Sequence, residues 1–272
     1  MINLDAYLAR LGAPAPAGAT LEALVGLHLA HALAIPFENL DIQLGRPISL
    51  ELPVLEAKLV RGRRGGYCFE QNTLFRAALE ALGFAVEAFE ARVRVGTDQL
   101  LPRTHMLLQV RVEGREWLCD VGFGGGGPLC PVPMDGEPAT AGRWTFRVRP
   151  EGPLRVLQSL VGETWMDLYA FLPEPRPDVD FQMGNWYTST YPGSRFLLTL
   201  TAQRTTREAR YILRNLKLEV DQAGGWEVRD LCREEVPEVL DRVFGLQIPV
   251  DARFRALDPA DPGHRDVIGI KG

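Results

Sequence analysis

Leu74-Phe75-Arg76-Ala77-Ala78-Leu79-Glu80-Ala81-Leu82-Gly83-Phe84-Ala85-Val86-Glu87-Ala88-Phe89-Glu90-Ala91-Arg92-Val93 holds two hydrophobic periods, and the switch between them decides the fold. On the left side Leu74, Phe75, Ala78, Leu79 and Leu82 recur every three to four residues. This predicts a helix from about 69 to 82, stopped by Gly83. On the right, residues 84–95 alternate around Val86, Ala91, Val93 and Val95, which is a strand signal.

Upstream everything reads as helix. Thr20 caps a helix through Ala34, with Leu21, Leu24, Val25 and Leu29 on one face and Pro36 as its stop. Pro53 suits the first turn of another, whose apolar set is Val54, Leu55, Leu59 and Val60. Such faces need one another, or another domain, for burial. Downstream, strands are expected at 105–112 and 116–121, joined by Glu113-Gly114, then at 143–149, 154–160 and 165–169. Gly and Pro punctuation between them suggests an antiparallel barrel or sandwich. Leu172-Pro173-Glu174-Pro175-Arg176-Pro177 reads as a stiff bridge. Beyond it, strands at 196–203, 208–213 and 217–220 and a helix at 237–244 give a small α/β unit. The last dozen residues read as poorly ordered.

The chain has 272 residues and a formal charge of -5, from 30 basic and 35 acidic side chains. At about 100–200 residues per domain this allows two domains, or more if they are small. With 46% hydrophobic and 24% charged residues it is an ordinary globular composition, which excludes collagen-like, disordered and disulfide-scaffold classes. Without a basic excess there is no footprint for nucleic acid; the densest basic group, Arg61, Arg63 and Arg64, is too short to supply one. No run of 18 apolar residues predicts a membrane span, and the N-terminus lacks signal-peptide character. Cys68, Cys119, Cys130 and Cys232 are far apart with no CxxC pair, fitting reduced thiols and a cytoplasmic setting.

Cys68 is the first chemical candidate. It follows Gly65-Gly66-Tyr67 and opens a helix, where unpaired N–H groups and the dipole favour a thiolate. A small buried apolar side chain is the plainer reading. The hairpin supplies partners. If Glu113-Gly114 is a two-residue turn, Val112 pairs with Arg115, and Asp120 falls opposite Leu107. His105 and Asp120 are then diagonal neighbours on one face, about 7–8 Å apart along the backbone, and Cys119 points to the other. Thiol, imidazole and carboxylate form a set for nucleophilic catalysis. His264 sits in the tail, and His28 and His31, one helical turn apart, read as structural or surface residues because no third metal ligand lies near them.

Gly122-Phe123-Gly124-Gly125-Gly126-Gly127-Pro128 begins two residues after Asp120. It lacks the Lys and Ser/Thr of a nucleotide loop, so a flexible barrel corner is one reading and a cradle for a phosphate-bearing donor the other. In Ile35-Pro36-Phe37-Glu38-Asn39-Leu40-Asp41, Phe37 either plugs the core or faces a planar substrate near Cys68.

Ile35-Pro36-Phe37-Glu38-Asn39-Leu40, Arg64-Gly65-Gly66-Tyr67-Cys68, Thr104-His105 and Asp120-Val121-Gly122-Phe123-Gly124 together resemble signature segments of the arylamine N-acetyltransferases. Asn185-Trp186-Tyr187-Thr188-Ser189-Thr190 and Ser194-Arg195-Phe196 are similar to that family as well, and the likeness fades after about Arg229. The resemblance implies an α+β multidomain chain: a helical bundle (1–83) carrying the nucleophile, an antiparallel β-barrel (84–190) carrying histidine and aspartate, and an α/β lid (191–272). It implies a triad of Cys68, His105 and Asp120. No cofactor is held permanently; acetyl-CoA is the co-substrate, and acetyl passes through Cys68 to an arylamine, hydrazine or N-arylhydroxylamine. It also implies acceptor contacts at Phe37 and Phe123 and donor contacts at Gly124, Gly125 and Gly126. A ring-closing amide synthase, a hydrolase or transglutaminase-like enzyme and a non-catalytic binding module are the rival readings.

Overall fold

Asn3 starts the first helix by accepting the Ala6 N–H on its side chain, and Gly12, at φ 65°, ends it. The computed structural model describes residues 1–97, 99–249 and 251–258. Helix α1 (Leu4–Leu11) was not separated in the sequence pattern; α2 (Leu21–Ala34) is capped by Thr20 as expected. Its buried face is not the expected one. Leu24, Leu27, His28 and His31 point inward, while Val25 is 38% exposed. Leu29 and Ala32 meanwhile pack on the barrel core. A helix wedged between two cores is apolar around most of its girth and presents no single stripe. After a two-residue strand β1 (Phe37–Glu38) come the short α3 (Leu40–Gln43) and α4 (Leu52–Leu55), the latter running into a π-helical turn to Arg61. Pro53 lies in the first turn of α4, and Leu55, Leu59 and Val60 are buried; Val54 is not, at 47% exposure. Helix α5 (Cys68–Ala81) buries Leu74, Phe75, Ala78 and Leu79.

Eight antiparallel strands follow: β2 (Ala85–Val93), β3 (His105–Val112), β4 (Arg115–Cys119), β5 (Val132–Pro133), β6 (Ala139–Ala141), β7 (Trp144–Glu151), β8 (Leu154–Val161) and β9 (Thr164–Phe171). They form one sheet in the order β5-β4-β3-β2-β9-β8-β7-β6, and β5 comes back against β7, so the sheet curls into a nearly closed barrel. Strand β3 is buried on both faces. Met106, Leu108, Val110 and Val112 join the helical core, while Leu107 faces Phe89, Leu118 and Phe146 inside the barrel. Glu113 (φ 52°) and Gly114 (φ 74°) make the left-handed two-residue turn, and Val112 pairs with Arg115 and Leu108 with Cys119, the expected register.

The proline bridge leads into α6 (Asp178–Thr190), which the sequence pattern did not predict. The strand expected at 196–203 divides into a single helical turn, α7 (Arg195–Leu198), and β10 (Thr201–Thr205). The Ser194 hydroxyl caps α7, and Asn39 Nδ2 donates to the carbonyls of Phe196 and Thr199 at 2.8 and 2.7 Å. These long-range bonds override the local strand preference of the segment. Strands β11 (Arg210–Arg214), β12 (Lys217–Gln222) and β13 (Gly225–Asp230) complete a second sheet, β1-β10-β11-β12-β13, backed by α8 (Val236–Phe244). Every residue of β13 is exposed, so no buried face supports it. Among the described residues no helix is long and apolar enough to cross a membrane. The expectation for the last dozen residues falls outside the described residues.

Candidate active site

Cys68 is the first residue of α5 and is 4% exposed. Glu70, two residues on, returns its carboxylate to the Tyr67 N–H at 3.2 Å, fixing the start of the helix. The preceding loop is strapped to β1: Glu38 N–H donates to Gly66 O at 3.1 Å, and Gly66 N–H to Pro36 O at 3.3 Å. A Cβ on Gly65 would come 2.1 Å from Pro36 O, and one on Gly66 would come 2.9 Å from Glu70 Cβ. Neither glycine has a positive φ; Arg63, at 50°, does. The glycines therefore serve close approach, and the left-handed residue of the loop is Arg63.

A buried ion network underlies this loop. Arg64 binds Glu38 at 2.8 Å and Asp41 at 3.3 Å, while Lys58 bridges Asp41 at 2.8 Å and Glu70 at 2.6 Å. Burial pushes Glu70 up to about 7, with Lys58 opposing and the Glu38 charge adding to the rise. Burial would lower Lys58, but Glu70, Glu38 and Asp41 outweigh it and hold its charge firmly. In the sequence Arg64 read only as part of a basic cluster; here it turns inward.

His105 opens β3, and its Nε2 lies 2.6 Å from Asp120 Oδ2, the diagonal pairing that the hairpin register predicts. The other ring nitrogen is left for Cys68, whose side chain acts on the imidazole; the thiol donates to Thr104 O at 3.7 Å. Burial of the ring disfavours its charge, but the Asp120 carboxylate and the bonds to Asp120 and Cys68 overturn that, and His105 is raised far above an ordinary histidine. Burial likewise works to raise Asp120, yet His105 and its hydrogen bonds keep it below the usual carboxylate range. Both shifts favour the pair as imidazolium and carboxylate.

Four residues whose part in the site sequence reasoning missed complete the arrangement. Tyr169 on β9 donates its hydroxyl to Asp120 Oδ2 at 2.9 Å. Asn72, one turn after Cys68, donates to Asp120 Oδ1 at 3.0 Å and Met106 O at 2.7 Å, and accepts the Val121 N–H at 3.2 Å. Gly122 N–H gives Asp120 Oδ1 a further bond at 2.9 Å. His28 Nε2 accepts the Asp120 N–H at 3.1 Å. Burial lowers His28 to about 4 and His31 to about 3, so both are neutral. They pack on Phe75, and among the described residues no group of three His, Cys, Asp or Glu could hold a metal ion. The helical spacing from Cys68 could have pointed to Asn72; no local signal pointed to Tyr169.

Phe123 stands edge-on to His105, with ring centres 5.1 Å apart, and 5.2 Å from Tyr169. Phe37 is 7% exposed, pairs along β1 with Gln203, bridges to Gly66 and packs on Phe196 at 6.0 Å. The glycine run is a turn closed by Gly127 N–H to Gly124 O at 2.9 Å. Gly124, at φ 88°, needs its glycine; Gly125 is buried with its N–H given to Gln203, and Gly126 is the more open of the three. Cys119, as expected, points away from the site, and burial raises its thiol. All four cysteines are unpaired.

Comparison with known proteins shows the family. The family model for N-acetyltransferase matches residues 20–253. An arylamine N-acetyltransferase of Mycolicibacterium smegmatis is 40% identical over 91% of this chain and 93% of its own length. One of Escherichia coli K12 is 40% identical over 71% of this chain and 69% of its own. Among solved structures, the Nocardia farcinica arylamine N-acetyltransferase superposes with a TM-score of 0.88 at 39% identity, covering 95% of this chain and 94% of that one. The Mycobacterium marinum enzyme in complex with CoA gives 0.82 at 35% identity, covering 89% and 92%.

Proposed function

Because this chain belongs to the arylamine N-acetyltransferase family, we propose that it carries acetyl from acetyl-CoA to the nitrogen of an arylamine or arylhydrazine, or the oxygen of an N-arylhydroxylamine, through acetyl-Cys68. The observation that carries this reading is the buried His105–Asp120 pair, 2.6 Å apart, with Cys68 acting on its imidazole. Cys68 thiolate attacks the thioester carbonyl carbon. The bond from carbonyl carbon to the CoA sulfur breaks, and the departing sulfur takes the proton that His105 holds. The acceptor nitrogen then attacks the acetyl carbonyl, its proton passes to His105, and Cys68 leaves as thiolate. Asp120 keeps the ring oriented and stabilises its charged form in both halves. An aromatic amine is weakly basic and arrives neutral, ready to attack.

Phe37 and Phe123 wall the acceptor, and the turn at Gly124, Gly125 and Gly126 lies beside the donor. Gly124 and Gly126 are the better candidates for backbone N–H contacts, since Gly125 already has a partner. Residues 1–83 bring the nucleophile, 84–190 the histidine and carboxylate, and 191–272 the cover that limits hydrolysis of the acyl-enzyme. An enzyme that draws on acetyl-CoA and keeps its thiols reduced belongs in the cytoplasm. Steady-state rates measured against acetyl-CoA at several arylamine concentrations test the order of steps. Parallel double-reciprocal lines are expected; intersecting lines mean direct transfer in a ternary complex and contradict the reading.

A further inference from the structure

The turn after Phe123 is gripped from the far side by the second sheet. Gln203 on β10 accepts the Gly125 N–H at 2.6 Å and donates to Thr201 Oγ1 at 3.1 Å. Arg210 on β11 donates to Gly127 O at 2.8 Å. Arg210 is 6% exposed, its guanidinium 4.2 Å from the centre of Trp144 and 5.9 Å from that of Phe146. Its Nε has no hydrogen-bond partner. Burying a guanidinium is costly unless it is fully paired, so what its bond fixes should matter. What it fixes is the turn that follows Phe123: a Cβ on Gly127 would stand 3.0 Å from Phe123 Cβ. Gln203 also lines a small cavity with Phe37, Phe123 and Gly124.

We propose that Gln203 and Arg210 are positioning residues for acceptor recognition, clamping the turn of residues 124–127 from both ends and so setting how far Phe123 stands from His105. The proposal rests on the reading of Phe123 as an acceptor wall. The clamp touches neither Cys68 nor the His105–Asp120 pair, so its loss loosens the fit of a flat aromatic amine and, because the same turn lies beside the donor, the hold on acetyl-CoA, while the maximal rate of Cys68 acetylation is kept once acetyl-CoA saturates.

Gln203→Leu removes the acceptor for Gly125 N–H at nearly constant volume, and Gln203→Glu keeps one. Expected for Gln203→Leu is an arylamine KM raised about tenfold, the size of one lost hydrogen bond, with Cys68 acetylation at saturating acetyl-CoA within about twofold of the parent. Gln203→Glu should recover most of the KM. An unchanged KM in Gln203→Leu, an equal slowing of Cys68 acetylation, or a Glu variant as impaired as Leu overturns the clamp. Phe123→Leu, run in parallel, separates the two readings. A KM raised by Phe123→Leu and unmoved by Gln203→Leu overturns the clamp alone; a KM that Phe123→Leu leaves unmoved overturns the acceptor wall and the clamp with it.

Discussion

Asp120 accepts from His105, Tyr169, Asn72 and the Gly122 amide, filling the acceptor capacity of its two oxygens. A carboxylate held this way fixes one ring orientation, which is why two predictions centre on it. In Asp120→Asn the charge that chiefly raises His105 is gone and burial is opposed only by Cys68, so the imidazole loses its proton at neutral pH. NMR of labelled histidine should report a protonated His105 at pH 7.5 in the parent and a neutral one in the variant, with transfer reduced by roughly 100-fold or more. The sign for stability follows from the same shifts. His105, raised in the folded state, stabilises fully below the ordinary histidine value, and that contribution fades as pH climbs through its raised value. Asp120, lowered, contributes above the ordinary carboxylate value and is lost as pH falls through its lowered one. Urea unfolding of parent and Asp120→Asn should therefore differ most between these limits and converge beyond them. Tyr169→Phe removes one bond to a buried charge and should cost about 1.5–3 kcal/mol of folding free energy. The assigned role fails if that variant unfolds like the parent.

At the level of elements, the site depends on how closely the loop after Asp120 meets α5. A Cβ on Gly122 would sit 2.7 Å from Cys68 Cα and 2.9 Å from Asn72 Nδ2. Gly122→Ala should lower both melting temperature and transfer rate, whereas Gly114→Ala, in a turn with open space around it, should strain only the hairpin. Transfer rates for the two variants check this, and equal rates contradict it. This contrast also marks what was legible in the sequence. Glu113-Gly114 fixed the register, and the register placed His105 against Asp120, because a two-residue turn leaves one pairing. Cys68 at a helix start was legible from the period change that follows it. The split of residues 196–203 was not, because Asn39, more than 150 residues away, decides it through side-chain bonds. The buried face of α2 was equally hidden, since His28 serves the Asp120 amide and polar residues carry no apolar signal.

Across the whole molecule, the N-terminal segment, barrel and second sheet are joined at the site. β1 belongs in sequence to the helical part, pairs with β10 of the second sheet, and straps the loop that presents Cys68. Arg64 and Glu38 anchor that strap as a buried ion pair. Glu38→Gln leaves Arg64 without its close partner and should lower the unfolding free energy by about 3–5 kcal/mol, read by denaturant titration; a surface-sized change below about 1 kcal/mol would show that Asp41 alone suffices. The strap, the hairpin and the clamp on the glycine turn have one chemical consequence, a single sulfur that carries acetyl between two substrates. Intact-protein mass after mixing with acetyl-CoA and no acceptor tests this most directly. The account predicts one added acetyl group on the parent, none on Cys68→Ala, and its discharge when an arylamine is added. Failure of the parent to gain acetyl while Cys68 still reacts with a thiol reagent, or an equal gain in Cys68→Ala, would contradict it.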